Sequence, residues 1–328
     1  MAAVTSNSVF IHGLGHWHPE TCVDNAFLES LDLGTTDDWI LRRVGIRSRY
    51  SALSLDYIRT TRNRDPREAQ SAASCTGVDM AARAALVALA RAGLSASDIG
   101  MVIAGSSAPA QTAPATASLV AARLGIVAPS FDVNAACSSF ALHAHLLASW
   151  ATTGYVLTVY PEDLTRAVDY RCRGAAVLMG DGAVACVWSK TVPGSLLVTD
   201  TCFESDPSGA AKVSIANGGH LTQDGPAVQA FAVKRSVATL RRMRCGKDIF
   251  VGHQANLRML QAVCDHAAVP EALHMWNVDV RGNCGAAGAP SVLSERWDDL
   301  LFAPRDIVLV QVGAGLSWGS LRLRRARD

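Results

Sequence analysis

Strand-like apolar runs and alanine-rich helical runs alternate along this 328-residue chain, and the cycle runs twice. In the first pass Val9 to Leu14, Gly100 to Ala104, Phe131 to Ala135, Tyr155 to Val159 and Ala183 to Trp188 read as strands. Helical patterns occupy Gly77 to Ala92, Ala115 to Leu124 and Phe140 to Trp150. From about Lys190 the cycle restarts, with helices over Val228 to Arg242, Leu257 to Ala268 and Ala289 to Leu300. Strands follow the same logic at Ile249 to Val251, Ile307 to Val312 and Ser320 to Arg324. Short apolar strands separated by helices argue for an α/β fold with mostly buried strands. The two passes fit two packed pseudo-repeats, residues 1–190 and 191–328, although no repeat is visible in the sequence itself.

Composition narrows the function. The net charge is +1 and 18% of residues are charged, so no strong field points to nucleic acid or a bilayer, and no basic stripe interleaved with aromatics is present. The nine cysteines are scattered, odd in number, and lack C-x-x-C or zinc spacing. With no signal peptide and no apolar run of transmembrane length, the expectation is a soluble cytoplasmic protein with free thiols and no membrane partner. Cys75, Cys172, Cys186, Cys202, Cys245 and Cys264 read as small core or surface residues, and Cys284 is notable for following Asn283.

Asp132-Val133-Asn134-Ala135-Ala136-Cys137-Ser138-Ser139 carries the chemistry. An extended run delivers Cys137 to the start of a helix, where the dipole and orphan N–H groups favour the thiolate that attacks carbonyl carbon. Val251-Gly252-His253-Gln254 ends another apolar run with a histidine, and Gly282-Asn283-Cys284-Gly285 places an asparagine in a turn before small residues. Taken singly, each has a plain structural reading: a small buried thiol, a satisfied histidine, turn chemistry. Brought to one sheet edge from predicted strand ends, they supply a nucleophile and two neutral donors, which is the equipment of acyl transfer. Cys137 lies in the first half and the other two in the second, so the site is expected at the seam.

These segments resemble β-ketoacyl-acyl-carrier-protein synthase III and its relatives, condensing enzymes of the thiolase fold. The likeness runs nearly end to end. It includes Ile11-His12-Gly13-Leu14-Gly15, Trp39-Ile40 with Arg43-Val44-Gly45-Ile46-Arg47, Pro114 to Leu119 with Arg123-Leu124-Gly125, Gly180-Asp181-Gly182-Ala183, and Gly313-Ala314-Gly315 with Ser317-Trp318-Gly319. The 30-residue step from His253 to Asn283 also matches. A dinucleotide-loop reading of Gly313-Ala314-Gly315 fails because no helix and ribose-binding acid follow. A cysteine-protease reading lacks that family's local signatures.

The resemblance implies two pseudo-repeated halves in a layered α-β-α-β-α sandwich. It implies that Cys137 takes an acyl group from a thioester, with the backbone N–H groups of Cys137 and Ala314 as the oxyanion hole. His253 and Asn283 then donate to the carbonyl of a malonyl-type or β-ketoacyl-type thioester as carbon–carbon bond formation proceeds. It places Trp39, Arg43, Arg173 and Arg258 on coenzyme A or a carrier phosphopantetheine, with acyl-CoA or an acyl carrier protein as partner, a homodimer, and no metal or redox cofactor.

Several positions depart from the family's pattern. Gly225-Pro226-Ala227 stands where relatives usually have Gly-Asn and a pantetheine hydrogen bond, and proline cannot reproduce it. Ala230, Asp265 and His266 replace frequent lysines, Ser139 replaces a frequent glycine, and Val312 replaces an aromatic beside the acyl pocket. These features point to specialised biosynthesis with a medium or long acyl chain. The alternatives are the housekeeping initiator of fatty-acid synthesis and a same-fold acyltransferase to oxygen or nitrogen. Ser51 to Ser74, polar and rich in arginine, reads as a solvated surface loop, with a lid or a carrier contact as the sharper alternative.

Overall fold

The computed structural model describes residues 8–243, 246–302 and 304–326; Cys245 lies outside them. Ten strands form one sheet. The first half of the chain supplies β1 (Val9–Trp17), β2 (Ile99–Ala104), β3 (Ser130–Asp132), β4 (Tyr155–Glu162) and β5 (Gly182–Ser189). The second supplies β6 (Leu196–Ser205), β7 (Ile249–Val251), β8 (His274–Met275), β9 (Ile307–Gly313) and β10 (Ser317–Arg325). Their order across the sheet is β8-β7-β9-β10-β6-β1-β5-β4-β2-β3. Read outward from the central antiparallel β1–β6 pair, each half repeats one pattern: 1-5-4-2-3, then 6-10-9-7-8. The pairing directions repeat too, with the outer three strands parallel and the fourth antiparallel to both neighbours. The pseudo-repeat resides in topology and not in residue identity.

Six helices complete five layers. Helix α1 (Gly77–Ala92) starts on a Thr76/Asp79 capping box and ends at Gly93 in the left-handed region. With α2 (Thr116–Leu124) it covers one face of the first half-sheet. Helices α4 (Gly225–Met243) and α5 (Leu257–Ala267) cover the outer face of the second. Between the half-sheets lie α3 (Ser139–Ser149) and α6 (Gly285–Glu295). Burial on both sides accounts for β5, every residue of which is buried.

Gln311 on β9 ties the middle layer together. Its side-chain oxygen accepts from Ala141 N on α3 (3.0 Å), and its amide donates to Ala286 O on α6 (3.0 Å). The residue is wholly buried, so both of its polar ends are satisfied by the two helices that carry the site.

Two expectations are corrected, and further strands appear that the sequence did not announce. Ser51 to Ser74 is not an irregular loop: it folds as helices Leu55–Thr61 and Pro66–Ala72, capped by Ser54 and Asp65. Each is seven residues long and rests on few apolar contacts, so no period was legible. The expected helix Ala289 to Leu300 starts earlier, at Gly285, and breaks at Arg296 before a second helix, Trp297–Phe302. Strand β6 and a hairpin of Val213–Ile215 and Leu221–Gln223 were not foreseen, because their alternating polar residues lack a continuous apolar run.

Candidate active site

Cys137, His253 and Asn283 all line one cavity of about 1170 Å³. The topology explains the convergence. Cys137 follows β3, His253 follows β7 and Asn283 follows β8, all parallel strands, and loops beyond the carboxyl ends of such strands form the crevice of an α/β sheet. Because β3 and β8 are equivalent in the two repeats, the turn carrying Cys137 before α3 is the counterpart of the turn carrying Asn283 before α6. Asn283 is not at a strand end, as the sequence reading had it; a short helix, Val278–Arg281, intervenes.

The nucleophile turn is tightly built. Cys137 is the middle residue of a 3₁₀ turn, Ala136–Ser138, and Ala136 holds φ +47°, a left-handed conformation that non-glycine residues rarely adopt. Three bonds maintain it: Ala136 N donates to Asn134 Oδ1 (2.8 Å), Ala135 N to Ser139 Oγ (3.0 Å), and Ser139 Oγ to Ala136 O (2.7 Å). Ser139, which departs from the family's glycine, therefore braces the turn. Gly313 lies against it so closely that a Cβ there would sit 2.9 Å from both Ala135 O and Ser138 N. This contact brings Ala314, also on the cavity wall, next to the cysteine turn.

The thiol is not in the state its sequence position suggested. Burial pushes Cys137 up to about 12, and the nearby Glu162 charge adds to the shift. Burial is the largest contribution, ahead of the opposing bond to Ser107, so the resting thiol is neutral at pH 7. Its side-chain partner is Ser107 Oγ, 3.3 Å from the sulfur, and Ser107 Oγ in turn donates to Glu162 Oε1 at 2.8 Å.

Asn283 is held so that its donor is free. Gly285 N donates to Asn283 Oδ1 (3.0 Å), which fixes the amide oxygen and leaves the NH₂ group available to the cavity. The backbone is pinned by Asn283 N to Leu178 O (2.8 Å) and Gly180 N to Asn283 O (3.1 Å). The Gly180-Asp181-Gly182 motif thus supports the asparagine. Asp181 itself accepts from Thr165 and Ala52 in a buried nest and holds the loop in place. His253 is buried, and desolvation lowers its pKa to about 4, so it is a neutral imidazole at pH 7. Its Nδ1 has no hydrogen-bond partner among the described residues, so no carboxylate raises its basicity. Both groups are suited to donating hydrogen bonds and not to carrying charge.

Of the residues expected on a nucleotide handle, only Arg43 is on the cavity wall. The Arg173 guanidinium lies 4.7 Å from the centre of the Trp39 ring and donates to Gly34 O, beside the wall residue Gly174. Arg258 spends Nε and Nη2 on Leu41 O and Nη1 on Gln261. Val312 is on the wall, paired across the β9–β10 ladder with Trp318. Pro226, also on the wall, sits in the first turn of α4, where its missing N–H removes no helix bond. No residue of 51–74 lines the cavity; the unforeseen hairpin does, through Val213, Ile215 and Leu221. Ser107, Glu162 and Gln311 were missed because a serine after a strand, or a single acid or amide within one, has no signature until the fold brings it to the thiol or the helices.

Residues 131–207 match the family model described as 3-oxoacyl-[acyl-carrier-protein (ACP)] synthase III, and residues 247–325 match its C-terminal counterpart. A β-ketoacyl-[acyl-carrier-protein] synthase III of Oceanobacillus iheyensis is 31% identical over 331 residues, covering 97% of this chain and 99% of the relative. Among solved structures, 3-oxoacyl-[acyl-carrier-protein] synthase III from Aquifex aeolicus superposes with TM-score 0.83 at 28% identity, over 96% of this chain and 99% of that one. The priming β-ketosynthase of a polyketide biosynthetic pathway gives 0.81 at 25% identity, over 96% and 95%. A Cys-bearing and an Asn-bearing turn related by the pseudo-repeat, on a scaffold shared along nearly the whole length of these proteins, place the chain in the β-ketoacyl-acyl-carrier-protein synthase III family of thiolase-fold condensing enzymes.

Proposed function

We propose that this enzyme loads an acyl group onto Cys137 and condenses it with a malonyl-type thioester, preferring a medium or long acyl chain in a specialised pathway. The observation that carries the reading is the convergence of Cys137, His253 and the oriented Asn283 amide on one large cavity. Cys137 attacks the acyl thioester, and the N–H groups of Cys137 and Ala314 hold the oxyanion. The malonyl-type thioester then loses carbon dioxide while His253 and Asn283 donate to its carbonyl as enolate charge develops. The carbanion attacks the Cys137 thioester, the carbon–carbon bond forms, and the cysteine sulfur departs. Neutral donors suit this step, because a negative charge at position 283 would repel the enolate. Acyl-CoA or an acyl carrier protein delivers the groups, with Trp39, Arg43, Arg173 and Arg258 near the handle; no cofactor takes part beyond these thioesters. Intact-protein mass spectrometry after incubation with a panel of acyl thioesters tests the first half, and product analysis after adding a malonyl thioester tests the second.

The chain-length preference rests on the cavity. At about 1170 Å³ it is at the large end of small-molecule sites, and Val213, Ile215, Val237, Met259, Val312 and Leu316 give it apolar walls. Each buried methylene contributes about 0.8 kcal/mol, so loading should favour hexanoyl and decanoyl over acetyl until the space is filled. Val312→Phe should penalise decanoyl more than acetyl, by roughly 1–3 kcal/mol, because it adds volume to a packed wall. Loading rates for the three thioesters in both proteins check this. A parent enzyme that prefers acetyl would return the housekeeping role to first place.

A homodimer is the proposed assembly. Strand β3 is an outermost strand of the sheet, so its outer backbone edge is available for pairing with a second copy, and Val127 just before it is fully exposed. Light scattering at micromolar concentration should report twice the chain mass, and a monomer would contradict the assignment.

A further inference from the structure

The mechanism above leaves unexplained how a thiol pushed up to about 12 loses its proton at neutral pH. Among the described residues the sulfur's hydrogen-bond partner is not His253, whose Nδ1 is unpartnered and whose imidazole is only weakly basic in its buried setting. The sulfur's partner is Ser107, whose loop follows β2 as His253 follows β7.

We propose that Ser107 and Glu162 form a proton relay serving Cys137, with Ser107 as a further catalytic residue and Glu162 as the positioning residue behind it that stores the proton. The direction of the relay follows from the donors. A carboxylate only accepts, so the single hydroxyl proton of Ser107 goes to Glu162 Oε1 at 2.8 Å. Ser107 Oγ then accepts the Cys137 S–H at 3.3 Å. Glu162 is fully buried at the end of β4 and cannot swing away. Ser107 N reaches both of its oxygens at 3.0 Å, and Ala286 N donates to Oε1 at 2.8 Å. Gly285 is required beside it, since a Cβ there would lie 2.6 Å from Glu162 Oε1.

The proton balance closes over the cycle. As the Cys137 sulfur forms its bond to the acyl carbon, its proton passes to Ser107 Oγ and the Ser107 proton passes to Glu162. The carbon–sulfur bond to the incoming carrier breaks, and the departing thiolate takes a proton from solvent. Glu162 stays protonated through the acyl-enzyme stage, which removes a negative charge from the site while enolate charge develops. When the carbanion expels the Cys137 thiolate, Glu162 returns the proton through Ser107. Burial holds Glu162 up to about 7, so it exchanges a proton near neutrality. The titratable groups around it are Cys137, Cys284 at the start of α6, and Asp163, which is paired with Arg166 at 2.9 Å. Both thiols are raised by burial and stay neutral in this range.

The inference rests on Cys137 as the acylated nucleophile, so the test uses two readouts on the peptide carrying Cys137: acyl loading from a thioester, and alkylation by iodoacetamide, which needs no substrate. Both rates in the parent should rise with pH and level off above about 7, as Glu162 ionises. Glu162→Gln and Ser107→Ala should be about 100-fold slower at pH 7 and should keep rising to pH 9, having lost the plateau. Ser107→Thr, which keeps the hydroxyl, should restore the rate to within roughly threefold and the plateau with it. Ser107→Ala leaves Glu162 in place, so the relay stays testable if Glu162→Gln does not fold. If Glu162→Gln is faster at pH 7, its charge merely opposes the thiolate and the relay is wrong. Unchanged profiles in Glu162→Gln or Ser107→Ala also overturn it. Alkylation that follows the expected pattern without acyl loading would uphold the relay and overturn the condensing reading.

Discussion

Cys137→Ala should accumulate no covalent acyl group from any thioester, and its condensation rate should fall by at least about 10⁴-fold. Replacing a nucleophile that forms a covalent intermediate removes the pathway itself, unlike the loss of a single hydrogen bond. The other described cysteines do not offer a substitute. Cys284, nearest in sequence to the asparagine, is buried with its pKa pushed well above the usual thiol value, and it is absent from the cavity wall. The substitution deletes one sulfur from a turn held by Asn134 and Ser139, so the fold should survive with a melting temperature within a few degrees of the parent. Peptide mapping should place the parent's added mass on the peptide with Cys137. Acyl accumulation on the alanine protein would remove Cys137 from the mechanism.

Asn283→Asp should separate the two half-reactions. Gly285 N already donates to the Asn283 side-chain oxygen, so an aspartate keeps that bond and the turn. What changes is the cavity-facing atom: a donor becomes an acceptor carrying charge. Self-acylation of Cys137 makes no demand on this donor and should remain within a few-fold. Condensation should fall by two to three orders of magnitude, the usual loss when a donor aimed at developing oxyanion charge is removed. Single-turnover loading followed by product formation from malonyl thioester measures both steps in one sample. Condensation at the parent rate would mean that the amide is not aimed at the enolate.

The sequence alone determined the class of fold and the three polar residues at its centre. Alternating apolar and helical runs point to buried strands under helices, and Cys137, His253 and Asn283, each weak by itself, were singled out together by the resemblance of their segments and spacing to the condensing enzymes. Only the tertiary structure could decide the ionisation of the thiol. A helix N-terminus is visible in a sequence, whereas the burial that raises the thiol and the Ser107 and Glu162 groups beside it depend on residues brought together by the fold. The same holds for the donor face of Asn283, fixed by Gly285, and for Ser107 and Glu162, which lie 30 and 25 residues from Cys137 and meet it only through the sheet. It holds also for residues 51–74, whose two short helices are stabilised by capping and by packing on the rest of the chain and not by a period of their own. Local pattern fixes which segments form and which faces are apolar; charge state, orientation and proton path depend on neighbours that the pattern does not name.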